Sequence, residues 1–136
     1  MRTNPKIKAL NWHITDRCNY RCRFCFAQKL GNELHDAKMI DSILTTIADK
    51  GIEKVNFAGG EPFLHSDIDI MFRKAKDLGM TVSVVSNGSL LNEGKVHALR
   101  EIVDWVGLSV DSANEATELL LGRGPGHHVA NIVNVS

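Results

Sequence analysis

Residues 81–88 read Thr-Val-Ser-Val-Val-Ser-Asn-Gly, and they contain the clearest strand of the chain. Three valines alternate with or stand beside Thr and Ser, a composition that favours a strand, and Asn-Gly directly after them is a turn signal. Apolar residues recur at helical spacing on both sides of this strand, at 68–78 and 92–103. A strand between two amphipathic helices is typical of an α/β fold with a parallel sheet.

The same alternation continues outward in both directions. We expect further strands at 9–14, 54–58 and 105–110, and further helices from 36 to about 50, from 114 to 121 and from 128 onward. Four strand–helix repeats predict right-handed crossovers between parallel strands. Ser66 is the expected N-cap of the second helix. The stripe from Met39 to Ala48 and the side chains of Trp12 and Trp105 are expected in the core.

Composition places the chain among ordinary globular proteins. It has 136 residues, 16 Lys+Arg against 16 Asp+Glu, 43% hydrophobic and 24% charged residues. A zero net charge gives no case for broad binding to nucleic acids or anionic membranes. No apolar run approaches the ~20 residues of a membrane-spanning helix. The sequence therefore predicts one domain over residues 1–136 in the cytoplasm, with neither a nucleic acid nor a membrane as partner.

Three cysteines lie within eight positions, at Cys18, Cys22 and Cys25. Their odd number excludes a closed disulfide framework, and their polar surroundings argue against inert buried thiols. Clustered thiolates bind iron–sulfur clusters or zinc, and the flanking arginines should favour the thiolate form. Structural zinc needs a fourth ligand, which His13 or His35 could supply. A [4Fe–4S] cluster on three cysteines instead keeps one iron open.

Polar motifs follow each predicted strand at its C-terminal end. The cysteine loop follows the first strand, Gly59-Gly60-Glu61-Pro62 the second, Ser86-Asn87-Gly88 the third and Asp111-Ser112 the fourth. Ligand sites of parallel α/β sheets gather at these ends. All four motifs should therefore lie around one pocket at this edge of the sheet. Asp111 and Ser112 are expected either in the pocket wall or as a helix cap.

The cysteine loop, with Phe24 directly before the third cysteine, resembles the cluster-binding loop of the radical S-adenosylmethionine enzymes. Gly59-Gly60-Glu61-Pro62 matches that superfamily's motif for the methionyl amino group. Five further stretches resemble the viperins, antiviral nucleotide dehydratases with prokaryotic relatives in phage defence: Asn11–Thr15, Lys54–Leu64, Val85–Leu90, Ser109–Ser112 and Leu121–Gly124.

The resemblance implies a partial (βα) barrel of the radical SAM type, with about four βα units present and its C-terminal part missing. The chain would then be a fragment or a truncated product. Cys18, Cys22 and Cys25 would hold a [4Fe–4S] cluster whose open iron binds S-adenosylmethionine. The residues implied to contact that cofactor are Phe24, Gly59, Gly60, Glu61, Ser86 and Asn87.

Substrate contacts are implied on the first two strands. Asn11 and His13 alternate along the first strand and Lys54 and Asn56 along the second, so each pair points to one face of the sheet. With Arg123, these residues would contact a ribonucleoside triphosphate. The viperin-like reaction removes hydrogen from C4′ and loses the 3′-hydroxyl as water, which gives a 3′-deoxy-3′,4′-didehydro nucleotide. An electron donor such as flavodoxin or ferredoxin would reduce the cluster.

Two alternatives stay open: another radical SAM enzyme, for peptide modification or cofactor biosynthesis, and a non-catalytic metal-binding fragment. The glycine-rich loop at 122–126 is a candidate phosphate cradle. The viperin family usually has lysines after this loop, whereas this chain has His127 and His128, which weakens the expected phosphate binding near pH 7. No acid or base for the dehydration step stands out.

Overall fold

The computed structural model describes residues 8–27, 31 and 33–136. These residues form the strands β1 (Ala9–His13), β2 (Lys54–Ala58), β3 (Thr81–Ser86) and β4 (Trp105–Leu108). The helices are α1 (Ala37–Asp49), α2 (Ile68–Asp77), α3 (Glu93–Leu99), α4 (Glu115–Leu121) and α5 (His128–Val135), with a 3₁₀ turn at Pro62–Leu64 before α2. The four strands are parallel and lie in the order β1-β2-β3-β4. This confirms the predicted α/β class.

The core lies between one face of the sheet and the first helices. Phe72 of α2 packs edge-on against Phe57 of β2, with ring centroids 5.2 Å apart, and against Phe63 at 6.3 Å. Each such buried side chain stabilises the fold by about 1.5–3 kcal/mol. Because side chains alternate along a strand, burying Val55 and Phe57 in this core places Asn56 on the opposite face. That opposite face carries the candidate site.

Three helices begin at the residues that the sequence indicates. The side chains of Asp36, Asn92 and Asn114 each accept a backbone N–H in the first turn of α1, α3 and α4. The prediction for Ser66 is wrong, because Asp67 precedes α2. His65 Nδ1 accepts the amide of Asp67 at 3.1 Å, and this bond sets the start of the helix one residue later.

Two apolar predictions also fail. Trp105 is 67% exposed, since it pairs with Ser83 and therefore lies on the sheet face opposite the core, on β4, one of the two edge strands among the described residues. Met39 is 51% exposed in the first turn of α1, whereas Ile40 and Leu44 of the same stripe are buried. Trp12 packs against the core, as predicted. No helix in the described part of the chain is long and apolar enough to cross a membrane.

Candidate functional site

A cavity of about 310 Å³ opens on the sheet face opposite the core and reaches the C-terminal strand ends. The structure brings nearly all the predicted site residues to its wall: Asn11, His13, Cys18, Cys22, Phe24, Cys25, Asn56, Gly59, Gly60, Ser86, Asn87 and Arg123. Two predicted residues do not line it, Lys54 and Glu61. The three cysteines and the strand residues thus face one space, as expected for a parallel sheet.

Lys54 lies at the first position of β2, beside Ala9 and Thr81. It points to the same face as Asn56, but two residues earlier, so it is displaced by about 6.6 Å along the strand. The side chain is half-buried. A ligand group must extend along the sheet face to reach it, and its contact with substrate stays a prediction.

The thiols of the cysteine loop are half-buried and free of disulfides. Cys18 Sγ accepts the backbone N–H of Tyr20 at 3.4 Å and faces the amide Nδ2 of Asn87 at 3.8 Å. Cys22 Sγ lies 3.9 Å from the carbonyl oxygen of Gly122. N–H groups aimed at sulfur stabilise a metal-bound thiolate and tune its cluster.

Burial raises the pKa of the Cys18 and Cys22 thiols above the ordinary value. The positive charge that offsets this at Cys22 is Arg123, from far along the chain, rather than a flanking arginine as the sequence suggested. Arg21 instead donates to backbone carbonyls of the loop. Thiols of this kind release their protons when a cation binds, so metal binding and deprotonation are coupled here.

Gly59 and Gly60 join the loop after β2 to the loop after β1. The amide of Gly60 donates to the carbonyl of Thr15 and that of Glu61 to the carbonyl of Arg17, both at 2.7 Å. A Cβ on Gly60 would lie 2.1 Å from Arg17 O, and one on Gly59 would lie 2.5 Å from Thr15 O. Close approach of two backbones therefore requires glycine at both positions, in addition to any approach by a ligand.

Glu61 is completely buried. Its Oε1 accepts the hydroxyl of Ser86 at 2.8 Å and the amide of Phe63 at 3.2 Å, and its Oε2 accepts the amide of Asn87 at 2.8 Å. Burial raises the pKa of this carboxyl despite the three bonds. The carboxylate orients two residues of the cavity wall, Ser86 and Asn87. Its predicted contact with a ligand ammonium stays a prediction.

The sheet side of the cavity carries a row of polar side chains at one level. Asn11, Asn56 and Ser83 are register partners on β1, β2 and β3. Asn56 Nδ2 donates to Asn11 Oδ1 at 3.0 Å, and Ser83 Oγ donates to Asn56 Oδ1 at 2.8 Å. Two residues along β1, the Nδ1 atom of His13 is buried and has no hydrogen-bond partner among the described residues. Of these residues, Asn11, Asn56 and His13 line the cavity and are placed to meet a ligand.

Arg123 reaches the cavity already paired. Its Nε contacts the carboxylate of Asp111 and lies 3.7 Å from Glu118 Oε2, and its guanidinium lies 5.5 Å from the ring centroid of Phe24. Phe24 is 55% exposed. Asp111 is therefore a partner of Arg123 and neither cavity wall nor helix cap. Ser112 accepts the amide of Asn114 just before α4.

For three buried residues of the site region, the sequence did not predict the structural role: Tyr20, Glu118 and His128. The Tyr20 hydroxyl lies 3.3 Å from His128 Nδ1, and His128 Nε2 donates to the carbonyl of Ser109 at 2.8 Å. Glu118 accepts the amides of Asp111 and Ser112 through Oε1, and its Oε2 lies 3.5 Å from His128 Nε2. We call these three residues the buried support.

His128 lies within the buried support. This side chain is fully buried, so it is not a substitute for a phosphate-binding lysine, whereas the neighbouring His127 is exposed. No local sequence signal reveals the support, because Tyr20 and His128 are 108 positions apart.

The glycine-rich loop at 122–126 packs against the cysteine loop and bonds to it. The amides of Arg21 and Arg23 donate to the carbonyls of Gly122 and Leu121, at 3.1 and 2.9 Å. A Cβ on Gly122, whose φ is +87°, would lie 2.2 Å from Arg21 O. A Cβ on Gly124 would lie 2.9 Å from the ring of Tyr20. These contacts give the glycines a structural role, and the role of this loop as a phosphate cradle stays a prediction.

His35, one of the two possible fourth zinc ligands, lies outside the cavity. It stacks on His65 at 4.9 Å between ring centroids and contacts Asp67. His13 lies at the cavity wall. Of the two histidines considered for zinc, His13 alone is placed beside the cysteines.

Comparison with known proteins identifies similar sequences. The family model of the radical SAM superfamily matches residues 12–135. The chain is 44% identical over 132 residues to an S-adenosylmethionine-dependent nucleotide dehydratase of Thermoplasmatales archaeon (strain ISO4-H5), covering 96% of this chain and 48% of that protein. It is 36% identical over 126 residues to a protein of the same name from Lacinutrix mariniflava, covering 87% and 26%. The chain thus spans about half of the first relative and a quarter of the second.

Solved structures show the same fold. Streptococcus suis SuiB has a TM-score of 0.69 at 25% identity, with 82% of this chain and 26% of that chain covered. BtrN, solved in complex with AdoMet and 2-DOIA, also has a TM-score of 0.69, at 15% identity, with 95% and 56% covered. At such low identity the second likeness shows the fold alone.

Proposed function

Because this chain belongs to the radical SAM superfamily, we propose that it carries the cluster, cofactor and nucleotide sites of a nucleotide dehydratase. The substrate would be a ribonucleoside triphosphate and the product its 3′-deoxy-3′,4′-didehydro analogue. The observation that carries this proposal is the shared cavity, which three cysteines line together with the amides of Asn11 and Asn56. The names of its sequence relatives support the substrate class.

The residues present fit a [4Fe–4S] cluster. Three free thiols line one wall, and N–H groups of Tyr20 and Asn87 face the sulfur of Cys18. With three thiolates, the fourth coordination position stays open for S-adenosylmethionine. When bound, the cluster and S-adenosylmethionine supply the one-electron chemistry that removes a hydrogen atom from C4′ of the substrate.

The protein's own residues would bind and orient the two ligands. Ser86 and Asn87, held by Glu61, form the cavity wall beside Cys18 and would contact S-adenosylmethionine, with Gly59, Gly60 and Phe24 around it. Asn11 and Asn56 would bind oxygen atoms of the nucleotide, with His13 beside them. Phe24 and Phe26 are exposed aromatic rings at the wall that a bound ligand would cover, which excludes water from the reacting atoms.

The remaining parts of the proposal concern the whole protein. Residues 1–136 would be a single core domain within a longer barrel, and a flavodoxin or ferredoxin would deliver the electron in the cytoplasm. A nucleotide without a 3′-hydroxyl stops chain extension by a polymerase, which supports a role in defence against phage. The alternative of a metal-binding module without activity makes a different prediction for the metal bound.

The test is a product assay under anaerobic conditions. The reconstituted chain, S-adenosylmethionine and a chemical reductant are incubated with each ribonucleoside triphosphate in turn, and the nucleotides are analysed by mass spectrometry. We expect one triphosphate to lose one molecule of water and 5′-deoxyadenosine to form with it. Iron binding and S-adenosylmethionine cleavage without any dehydrated nucleotide would contradict the dehydratase and leave another radical SAM activity. Zinc in place of iron and sulfide would favour the metal-binding module.

A further inference from the structure

The row Asn11–Asn56–Ser83 has a direction that follows from its hydrogen atoms. The hydroxyl of Ser83 has one hydrogen, and Asn56 Oδ1 is nearer to it, at 2.8 Å, than the carbonyl oxygen of Val55, at 3.4 Å. If the Asn56 amide were turned over, its Nδ2 would donate to Ser83 Oγ and the hydroxyl would be left only the longer contact with Val55 O. The distances therefore favour the direction in which Ser83 donates to Asn56 Oδ1. In this direction the Asn56 amide has its Nδ2 toward Asn11, to whose Oδ1 it donates at 3.0 Å.

The open end of the row is a hydrogen-bond donor. With its Oδ1 engaged by Asn56, Asn11 presents its Nδ2 group, which has no hydrogen-bond partner among the described residues. Asn11 is exposed and lines the cavity, whereas Ser83 is 4% exposed at the other end. A buried hydroxyl that touches no ligand thus decides which face of an exposed amide the ligand meets.

We infer that Ser83 is a positioning residue that holds the Asn11 amide with its N–H groups toward an acceptor oxygen of the nucleotide, from its ribose or its phosphates. This inference rests on the proposed function and adds to it the residue that sets the polarity of the contact. Without the Ser83 hydroxyl, the Asn56 amide is free to turn over. Asn11 then meets the ligand in either of two orientations, of which one presents a repelling oxygen.

The first experiment measures the geometry without any ligand. Side-chain amide resonances of the ¹⁵N-labelled chain are compared between the unaltered protein, Ser83→Ala and Thr81→Val. Both variants delete one hydroxyl from the same face of β3, two residues apart. We expect Ser83→Ala to shift the resonances of Asn56 and Asn11 and Thr81→Val to leave them in place. Unmoved Asn56 and Asn11 resonances in a folded Ser83→Ala protein would overturn the inference.

The second experiment measures nucleotide binding at equilibrium, with no turnover. Removing the orientation of one hydrogen bond should weaken the triphosphate Kd about threefold to tenfold in Ser83→Ala. Thr81→Val should match the unaltered chain, and Ser83→Thr, which keeps the hydroxyl, should recover most of the affinity. Asn11→Ala combined with Ser83→Ala should be no weaker than Asn11→Ala alone, because Ser83 acts through Asn11.

The polarity is tested by Asn11→Asp, which keeps the acceptor for Asn56 and removes the donors. We expect it to bind the triphosphate more weakly than Asn11→Ala, since a carboxylate repels an acceptor oxygen. Binding as tight as that of the unaltered chain would overturn the inferred polarity. Failure of the unaltered chain to bind any ribonucleoside triphosphate would overturn the proposed function itself, whereas equal binding by Ser83→Ala and the unaltered chain would overturn this inference alone.

Discussion

Two sides of the cavity use polar side chains in opposite ways. Behind the cysteine loop, the buried support of Tyr20, Glu118 and His128 has almost no exposed surface, and its polar atoms face other protein groups. Even Glu118 Oε2, which accepts no hydrogen bond from the described part of the chain, lies 3.5 Å from His128 Nε2. On the sheet side, Asn11 is exposed, and His13 Nδ1 has no hydrogen-bond partner among the described residues. A buried polar group without a partner is costly, so groups left open in a cavity await a ligand and groups satisfied inside the protein fix its shape.

The largest effect is expected at the cysteine loop itself. Cys22→Ala removes one of three thiolates, and two thiolates do not hold a [4Fe–4S] cluster. We expect the unaltered chain to bind about four irons per chain after anaerobic reconstitution, and the variant to bind none after gel filtration. Iron and sulfide analysis with the visible spectrum measures this. A full cluster in Cys22→Ala would show that these cysteines are not the ligands.

The buried support should dominate stability on the same side. His128→Ala leaves the carboxylate of Glu118 and the carbonyl of Ser109 buried without that ring. We expect the free energy of unfolding to fall by about 3 kcal/mol, measured by urea denaturation. The control is His127→Ala, an exposed neighbour, which should change it by no more than about 0.5 kcal/mol. Equal effects of the two substitutions would contradict the distinction between the two sides.

Lys54 tests how far the sheet side extends. If the triphosphate reaches along the sheet face to this half-buried lysine, Lys54→Ala should weaken the nucleotide Kd about tenfold, which is about 1.4 kcal/mol. S-adenosylmethionine binding should not change. Lys50→Ala, at an exposed position after α1, is the control for a general loss of positive charge. An unchanged Kd in Lys54→Ala would confine the substrate to the cavity wall as the structure defines it.

A smaller effect is expected at His65, a buried and hydrogen-bonded side chain that does not line the cavity. His65 is 2% exposed, its Nδ1 accepts the amide of Asp67 and its Nε2 donates to Leu34 O. Burial lowers the pKa of this imidazole, so the folded chain binds fewer protons than the unfolded chain below the ordinary histidine pKa of about 6.5. Stability should be complete above that pH and fall below it, by at most about 1.4 kcal/mol per pH unit.

Urea denaturation at several pH values between about 7.5 and about 5.5, on both sides of the ordinary histidine pKa, measures how the free energy of unfolding changes with pH. His65→Asn should flatten this dependence, and His97→Asn, at an exposed position of α3, should not. An unchanged slope in a folded His65→Asn protein would assign the pH dependence to other groups.

The difference between the two sides also explains what sequence could predict. Side chains alternate along a strand, and this placed Asn11 and Asn56 on one face of the sheet. Loops that follow parallel strands gather at one edge of the sheet, and this placed the cysteines beside them. Both rules depend on local backbone geometry alone. The buried support depends on which distant segments meet, and neither Tyr20 nor His128 carries a local mark of that contact. Glu61 is intermediate: its motif is recognisable, yet its bonds to Ser86 and Asn87 required the fold. Trp105 was wrongly predicted in the core because composition shows neither that β4 is an edge strand nor that this position pairs with Ser83 on the face opposite the core.

The most direct test of the account follows one hydrogen atom. A ribonucleoside triphosphate deuterated at C4′ is incubated anaerobically with the reconstituted chain, S-adenosylmethionine and a reductant, and 5′-deoxyadenosine is analysed by mass spectrometry. We expect deuterium in 5′-deoxyadenosine together with a triphosphate that has lost water, because the proposed nucleotide site on the sheet side of the cavity lies beside the cysteine loop. Unlabelled 5′-deoxyadenosine from the C4′-deuterated triphosphate would contradict this expectation, as would label that arrives only from triphosphates deuterated at other ribose positions or only from a deuterated peptide.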